Sequence, residues 1–475
     1  MGSSVHQNSL TARHFCIGLL IALALTILSL SSPLRPQGAD TVPGRLGAYV
    51  LACKDTHNLG EIPWLKASTS LSHPPYFFRT TADQRGWVST FGPGPTWLGQ
   101  LSLFGLHGDD VIDDTQMRQR SRLVATLCVA FSAFFLFVLL CRSTSLLGAA
   151  LGAVVGGLSF SGLSILGQGL WQQTAALIPL ILALTSMTMV HQHRMMLAAV
   201  SFFCAVGIFT RPPDVFLFLG ILTTSFWQCR KNPDRLRWGS LSAAAFIFGA
   251  FPFLHWNLKY HDQLIYLGQS SANEHAVYAS PFHPVGMPWV EGLAGLLISP
   301  GRGLLFFAPV AFVGLYALFK SRPYRPLILF LSIQLIVCAA FIKWWGGLTF
   351  GPRLLCLPIW LLIWAAFSSF HEQSPNLKRL SVTFGMFTCL IGLIGLFHFN
   401  PLVWEVPKRV DENPSVLWER PGPVYSLMVD SPPDDLAYFD SDVGPFRVCA
   451  PLPLQKIHDT DVPKVFLEKN PITHP

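Results

Sequence analysis

The chain has 475 residues, 51% of them hydrophobic and only 12% charged, with a formal net charge of +7. Soluble domains carry roughly 25% charged residues, so this composition, with its long apolar runs, excludes an ordinary soluble enzyme and points to the membrane class. The basic residues stand in short clusters between apolar runs, which is a topology signal, and nucleic acid is not an expected partner.

An apolar run at 15–31, preceded by Arg13, predicts a first span; it is long for a signal-peptide core and is followed by a poor cleavage site, so a retained helix is expected. A long polar stretch, 34–120, interrupts the apolar pattern directly afterwards. Within it, 97–106 is apolar but too short to span, and is expected to lie along the interface. Further spans are expected at 123–140, 146–166 and 174–190. Segment 146–166 is rich in Gly and Ala, which suits close helix packing in lipid.

The run 195–227 is far longer than the ~20 residues one span needs, and Thr210-Arg211-Pro212-Pro213-Asp214 interrupts it. Two helices meeting at that polar break are expected. Spans follow at 240–254, 293–319, 327–342, 354–370 and 382–397, eleven in all. The tail beyond residue 400 is polar and Pro-rich, with no apolar anchor, and reads as a separate extracytoplasmic segment, 401–475, after a membrane domain, 1–400.

With the N-terminus in the cytoplasm, Arg142, Arg194, Arg230, Lys231, Arg235, Arg237, Lys320, Arg322, Arg325, Lys378 and Arg379 all fall in cytoplasmic loops. This positive-inside bias requires the break at Arg211 to be a real turn, since a single helix there would invert everything downstream. Asp40, Gln168 to Gln173, Arg211, the loop after His255, Arg302 and Arg353 then share the outer face of a cytoplasmic, or inner, membrane.

Several of these residues sit in recognisable strings. Asp40-Thr41-x-Pro43-x-Arg45 follows the first span; Thr210-Arg211-Pro212, Ser299-Pro300-Gly301-Arg302-Gly303-Leu304 and Trp345-Gly346-Gly347-x3-Gly351-Pro352-Arg353-Leu354 come later, as does His255-Trp256-Asn257 with Tyr260. In order and spacing the set resembles the bacterial polytopic glycosyltransferases of the GT-C fold, of the kind similar to protein O-mannosyltransferases and aminoarabinose transferases (glycosyltransferase family 39-like), over residues 15 to about 400. The resemblance implies an all-α polytopic membrane protein, a bundle of about eleven transmembrane helices with a large first outer loop. It also implies a polyprenyl-phosphate sugar as donor, a glycan, lipid or protein as acceptor, membrane lipid as surroundings, and a first-loop carboxylate as general base. Many relatives place a second acidic residue beside that carboxylate; here Asp40 stands between Ala39 and Thr41, so no metal is expected at an acidic pair there, and no cofactor is expected.

The chemistry matches the residue types. Transfer to a hydroxyl needs a base for the acceptor proton, and Asp40 is the candidate, with Asp55 next; a simple turn residue is the alternative. A departing lipid phosphate needs fixed positive charge, and Arg302 and Arg353, in Gly/Pro-rich breaks, offer it. Snorkelling towards headgroups is their alternative. Arg211 and Lys259 are lesser candidates for the same task, with an Arg211–Asp214 ion pair closing the turn as the other reading. His255 is a candidate phosphate ligand or a helix-end histidine. Trp345 is a candidate sugar platform or part of the interfacial aromatic belt. Cys53 and Cys449 are expected in outer segments, where a disulfide between them is permitted. A transporter or flippase of lipid-linked sugars, or a non-catalytic scaffold, are the competing functions; the chain shows no internal repeat of the transporter kind.

Overall fold

In a computed structural model, the structure describes residues 10–34, 39–59, 78–81, 86–103, 114–231, 233–265, 289–341, 346, 349–368, 370–399, 441–443 and 446–448. Six of its helices are long and apolar enough to cross a membrane. They are α1 (Ala12–Ser31), α4 (Asp114–Cys141), α6 (Gln172–Met189), α9 (Arg235–His261), α13 (Arg325–Ala340) and α15 (Pro375–His398). Shorter apolar helices complete the bundle: α5 (Leu146–Leu158), α7 (Met196–Thr210), α8 (Val215–Cys229), α10 (Trp289–Ile298), α12 (Val310–Lys320) and α14 (Cys356–Ser368). Counting the broken pair α10 and α12 as one, the described residues hold eleven apolar helical segments, six of them long enough to cross a membrane. The bundle is an all-α polytopic membrane fold.

The centre of the bundle is α14. Every residue from Cys356 to Phe367 is buried, as expected for a helix that is apolar all round. Trp360 and Trp364 are fully enclosed, and the Trp360 indole N–H donates to the Ser161 carbonyl at 3.2 Å. The small residues of α5 let this happen: a side chain at Gly152 would collide with Leu140 of α4 and crowd Phe367 of α14, and one at Gly156 would crowd Leu136 and Trp360. In contrast, α1, α9, α13 and α15 keep rows of large apolar side chains exposed, among them Leu20, Phe248, Leu329 and Met386. Those faces suit contact with lipid tails.

Two spans differ from expectation. The helix expected over 146–166 ends at Leu158. The Ser159 hydroxyl donates to the Gly156 carbonyl and the Leu163 N–H to the Gly157 carbonyl, both at 2.9 Å, so the last turn is closed by polar partners and the chain folds into turns. The span expected over 293–319 is broken by a turn at Ser299–Gly303 and by the single-turn helix α11 (Leu304–Phe307). Gly303 N–H returns to the Ser299 carbonyl, and Pro309 cannot supply the N–H that a continuous helix would need.

The break at Arg211 is a real turn. Helices α7 and α8 fold back on each other, with Phe218 of α8 lying against Gly207 of α7 and the Cys204 thiol donating to the Phe218 carbonyl. The basic turns consequently gather at one end of the bundle. Arg194, between α6 and α7, reaches the Val190 carbonyl and the Cys229 sulfur at the end of α8. Tyr324, before α13, meets Trp364 of α14 edge-on, and Phe370, just after α14, covers Gly148 at the start of α5.

The opposite end carries the first loop. It contains α2 (Val42–Lys54), α3 (Gly94–Gln100) and the antiparallel pair β1 (Phe78–Thr80) and β2 (Trp87–Ser89). Helix α3 packs on α2 through Gly47 against Thr96 and Gly99 against Ala48, so the short apolar segment at 97–103 rests on protein for part of its surface. A second hairpin, β3 (Ser441–Val443) with β4 (Phe446–Val448), is the described part of the tail.

Candidate active site

The site begins where α1 ends. Arg122, in the first part of α4, is buried and donates to the Ser29 carbonyl, to the Ser32 carbonyl at 2.9 Å and to the Ser32 hydroxyl at 2.6 Å. The last carbonyls of a helix have no partners of their own, and a guanidinium there satisfies several at once. Ser29 and Thr126 share a further hydrogen bond, and Thr126 donates to the Gly167 carbonyl. The end of α1 is therefore tied to α4 and to the turn at Leu166–Gln168.

Asp40 lies in a helical turn, Ala39–Thr41, that runs straight into α2 with Pro43 in its first turn. Helix α2 was not expected from the sequence. Its two glycines weaken helix propensity, and its burial runs almost all round, so no apolar stripe marks it.

Arg353 comes from the other half of the chain. It opens the turn Arg353–Leu355 at the head of the central helix α14. Two glycines with positive φ, Gly346 (+83°) and Gly351 (+78°), shape the approach. A Cβ on Gly351 would press on the rings of Phe307 and Phe160, so this glycine serves the protein's own packing. The Arg353 Nη1 atom stands 2.6 Å from Asp40 Oδ2, with 15% and 25% of the two side chains exposed. The guanidinium carbon also sits 4.7 Å from the ring centre of Trp171.

Both members of this pair line a small open cavity, together with Phe91, Gln172, Gln173, Arg211 and Leu354. Arg211 is buried and paired with Asp214, which is fully buried and accepts from Gln334 Nε2 at 3.3 Å; the same amide nitrogen donates to the Pro213 carbonyl at 2.8 Å. The Arg211–Asp214 pair thus closes the α7–α8 turn, and the arginine still reaches the cavity wall.

The other sequence candidates lie elsewhere or outside the described residues. Arg302 is fully buried, 0% exposed, in the Ser299–Gly303 turn, where its N–H meets the Ser299 hydroxyl; it is not among the described residues lining the cavity. His255 is exposed on α9, stacked against Phe251. Lys259 is exposed one turn further on, with its ammonium 5.2 Å from the Tyr260 ring centre. Asp55 ends α2 in the left-handed region and is exposed. Trp345 and the Cys53–Cys449 pairing lie outside the described residues.

Beside Lys259 the first loop docks on α9. His57 meets Tyr260 and Trp256 edge-on, with ring centres 5.5 and 6.4 Å apart. Burial, and secondarily the Lys259 charge, push the His57 imidazole from 6.5 down to about 4.

Sequence reasoning missed Arg122, which stands just outside the apolar run at its first turn; the segment Trp171-Gln172-Gln173 reads from sequence as the cap of a short outer turn or a sugar contact, and the structure places Gln172 and Gln173 on the cavity wall. The signal available for Arg122 was polarity at the rim of a span on the loop-bearing side.

No family model matches the chain, and no curated protein does. Among solved structures the chain is similar to that of ArnT from Cupriavidus metallidurans bound to undecaprenyl phosphate, with a TM-score of 0.47 and 14% identity, over 78% of this chain and 62% of that one. The match therefore spans less than two thirds of the ArnT chain.

Proposed function

We propose that this protein is an integral-membrane glycosyltransferase that moves a sugar from a polyprenyl-phosphate carrier to an acceptor hydroxyl at the non-cytoplasmic face. One observation carries the reading: a carboxylate and a guanidinium from distant parts of the chain meet at one cavity, at the end of the bundle opposite the basic turns. By the positive-inside bias those turns face the cytoplasm, so the cavity opens on the other side.

The two groups fit the two charge demands of a displacement at an anomeric carbon. The acceptor O–H gives its proton to Asp40 as the acceptor oxygen bonds to the anomeric carbon. The bond from that carbon to the phosphate oxygen breaks, and its electron pair leaves on the phosphate, where Arg353 meets the growing charge. A phosphate competing for Arg353 also loosens its bond to Asp40 and frees the carboxylate to act as base. Arg211 adds positive potential to the same wall. Arg302, enclosed in its turn, is assigned a supporting place in phosphate recognition by the sequence pattern, not by this cavity.

The test is twofold. The purified chain in proteoliposomes is supplied with polyprenyl-phosphate sugars and extracted envelope acceptors, and envelope glycans of a deletion strain are compared with the parent by mass spectrometry. Loss of one sugar substituent in the deletion strain, restored by the wild-type chain, supports the reading. Unchanged glycans together with no transfer from any donor would sink it.

A further inference from the structure

Arg211 and Arg353 both line the cavity, but their counter-ions stand differently. Asp40, the partner of Arg353, lines the cavity itself. Asp214, the partner of Arg211, is fully buried and is not among the described residues lining the cavity. An incoming phosphate therefore meets Asp40 as a competitor for Arg353, whereas the carboxylate that holds Arg211 stays behind the wall. Asp214 engages one nitrogen of Arg211, Nη1. A guanidinium carries five N–H donors, so others are left for an anion.

Asp214 is itself held in place. Gln334 of α13 is fully buried, and its Nε2 donates to Asp214 Oδ1 at 3.3 Å and to the Pro213 carbonyl at 2.8 Å. One amide nitrogen thus fixes both the carboxylate and the backbone of the α7–α8 turn. One turn further along α13, the Cys338 thiol donates to the Leu354 carbonyl at 3.9 Å, in the turn that carries Arg353. This arrangement is costly. The Gln334 carboxamide oxygen is enclosed and has no hydrogen-bond partner among the described residues. A buried ion pair is often no more stable than apolar side chains of the same size. Stability alone does not account for a buried Arg–Asp–Gln chain; a need to hold the arginine in one place does.

We propose that Asp214 and Gln334 are positioning residues for Arg211, which serves as the standing anchor of the carrier phosphate, while Arg353 parts from Asp40 and meets the charge that grows on the leaving oxygen. This rests on the glycosyltransferase reading above and deepens it.

Asp214→Asn would change charge as well as position, so Gln334 is the residue to vary. The full chain in nanodiscs is titrated with undecaprenyl phosphate and with undecaprenol, which lacks the phosphate. The wild type is expected to bind the phosphate form about tenfold or more tighter. Arg211→Met should lose most of that gain, and Gln334→Met and Gln334→Leu about threefold or more of it, with undecaprenol bound within about twofold of wild type in all three. In the double variant Arg211→Met with Gln334→Met, the second change should add less than about twofold, because Gln334 acts through Arg211. A general loosening of the bundle would add its full effect in both backgrounds. The inference is overturned if the two changes add, if Arg211→Met or both Gln334 variants keep the gain, or if the Gln334 variants lose undecaprenol to the same degree. A wild type that binds undecaprenyl phosphate no better than undecaprenol overturns the glycosyltransferase reading, and this inference with it.

Discussion

Trp171 braces Arg353 from the side, its ring centre 4.7 Å from the guanidinium carbon, while Asp40 holds the same guanidinium by one of its nitrogens. The arginine is thereby fixed in position and direction by two unrelated contacts. Among the described residues, Trp171→Ala leaves Arg353 with the ion pair alone. A lost cation–π contact of about 1 kcal/mol corresponds to a roughly fivefold fall in kcat/KM for the lipid-linked donor. Trp171→Phe is expected to recover most of it, and donor kinetics of the two variants check this.

Arg122 is expected to matter for stability and, through the first loop, for activity. Arg122→Met removes a charged donor from the Ser29 and Ser32 carbonyls and from the Ser32 hydroxyl. A loss of about 1.5–3 kcal/mol per strong charged hydrogen bond is the usual scale. The thermal midpoint in detergent should fall clearly, with Arg122→Lys intermediate.

Gly351→Ala tests the loop before Arg353. At φ +78°, with Phe307 and Phe160 against the position a Cβ would take, alanine is both strained and crowded. The expected cost is about 1–3 kcal/mol, seen as a lower thermal midpoint. Transfer should fall further than stability alone requires, because the turn that aims Arg353 shifts.

The docking of the first loop on α9 should weaken in acid. Folded His57, at about 4, refuses a proton that the unfolded chain takes up at 6.5. Stability therefore falls as pH drops from 6.5 towards 4 and levels off below, by a few kcal/mol at most for this one group. His57→Phe keeps the ring contacts and should flatten that part of the profile, measured as thermal midpoint against pH.

Much of the fold was legible because a bilayer imposes long apolar runs and the basic clusters between them. The break at Arg211 was legible for the same reason: two prolines and two charges cannot continue a buried helix. The turn at 159–165 was less so, because Ser159 and Gly162 act through local hydrogen bonds that hydropathy does not register. Helix α2 was hidden because it is buried nearly all round and owes its helicity to packing on α3. At the site, Asp40 and Arg353 stood out as charges at span ends, but nothing in one dimension joins them. Arg302 carries the same signal and ends up enclosed in its own turn, since sequence shows the charge and not the direction of the side chain.

The central claim is that Asp40 takes the acceptor proton. The most direct measurement is sugar transfer by Asp40→Asn in proteoliposomes, with binding of undecaprenyl phosphate as a check on folding. Loss of a positioned base should lower the turnover by about 10²–10⁴-fold while the lipid still binds. Turnover at the wild-type rate in a variant that binds the lipid normally would contradict the account.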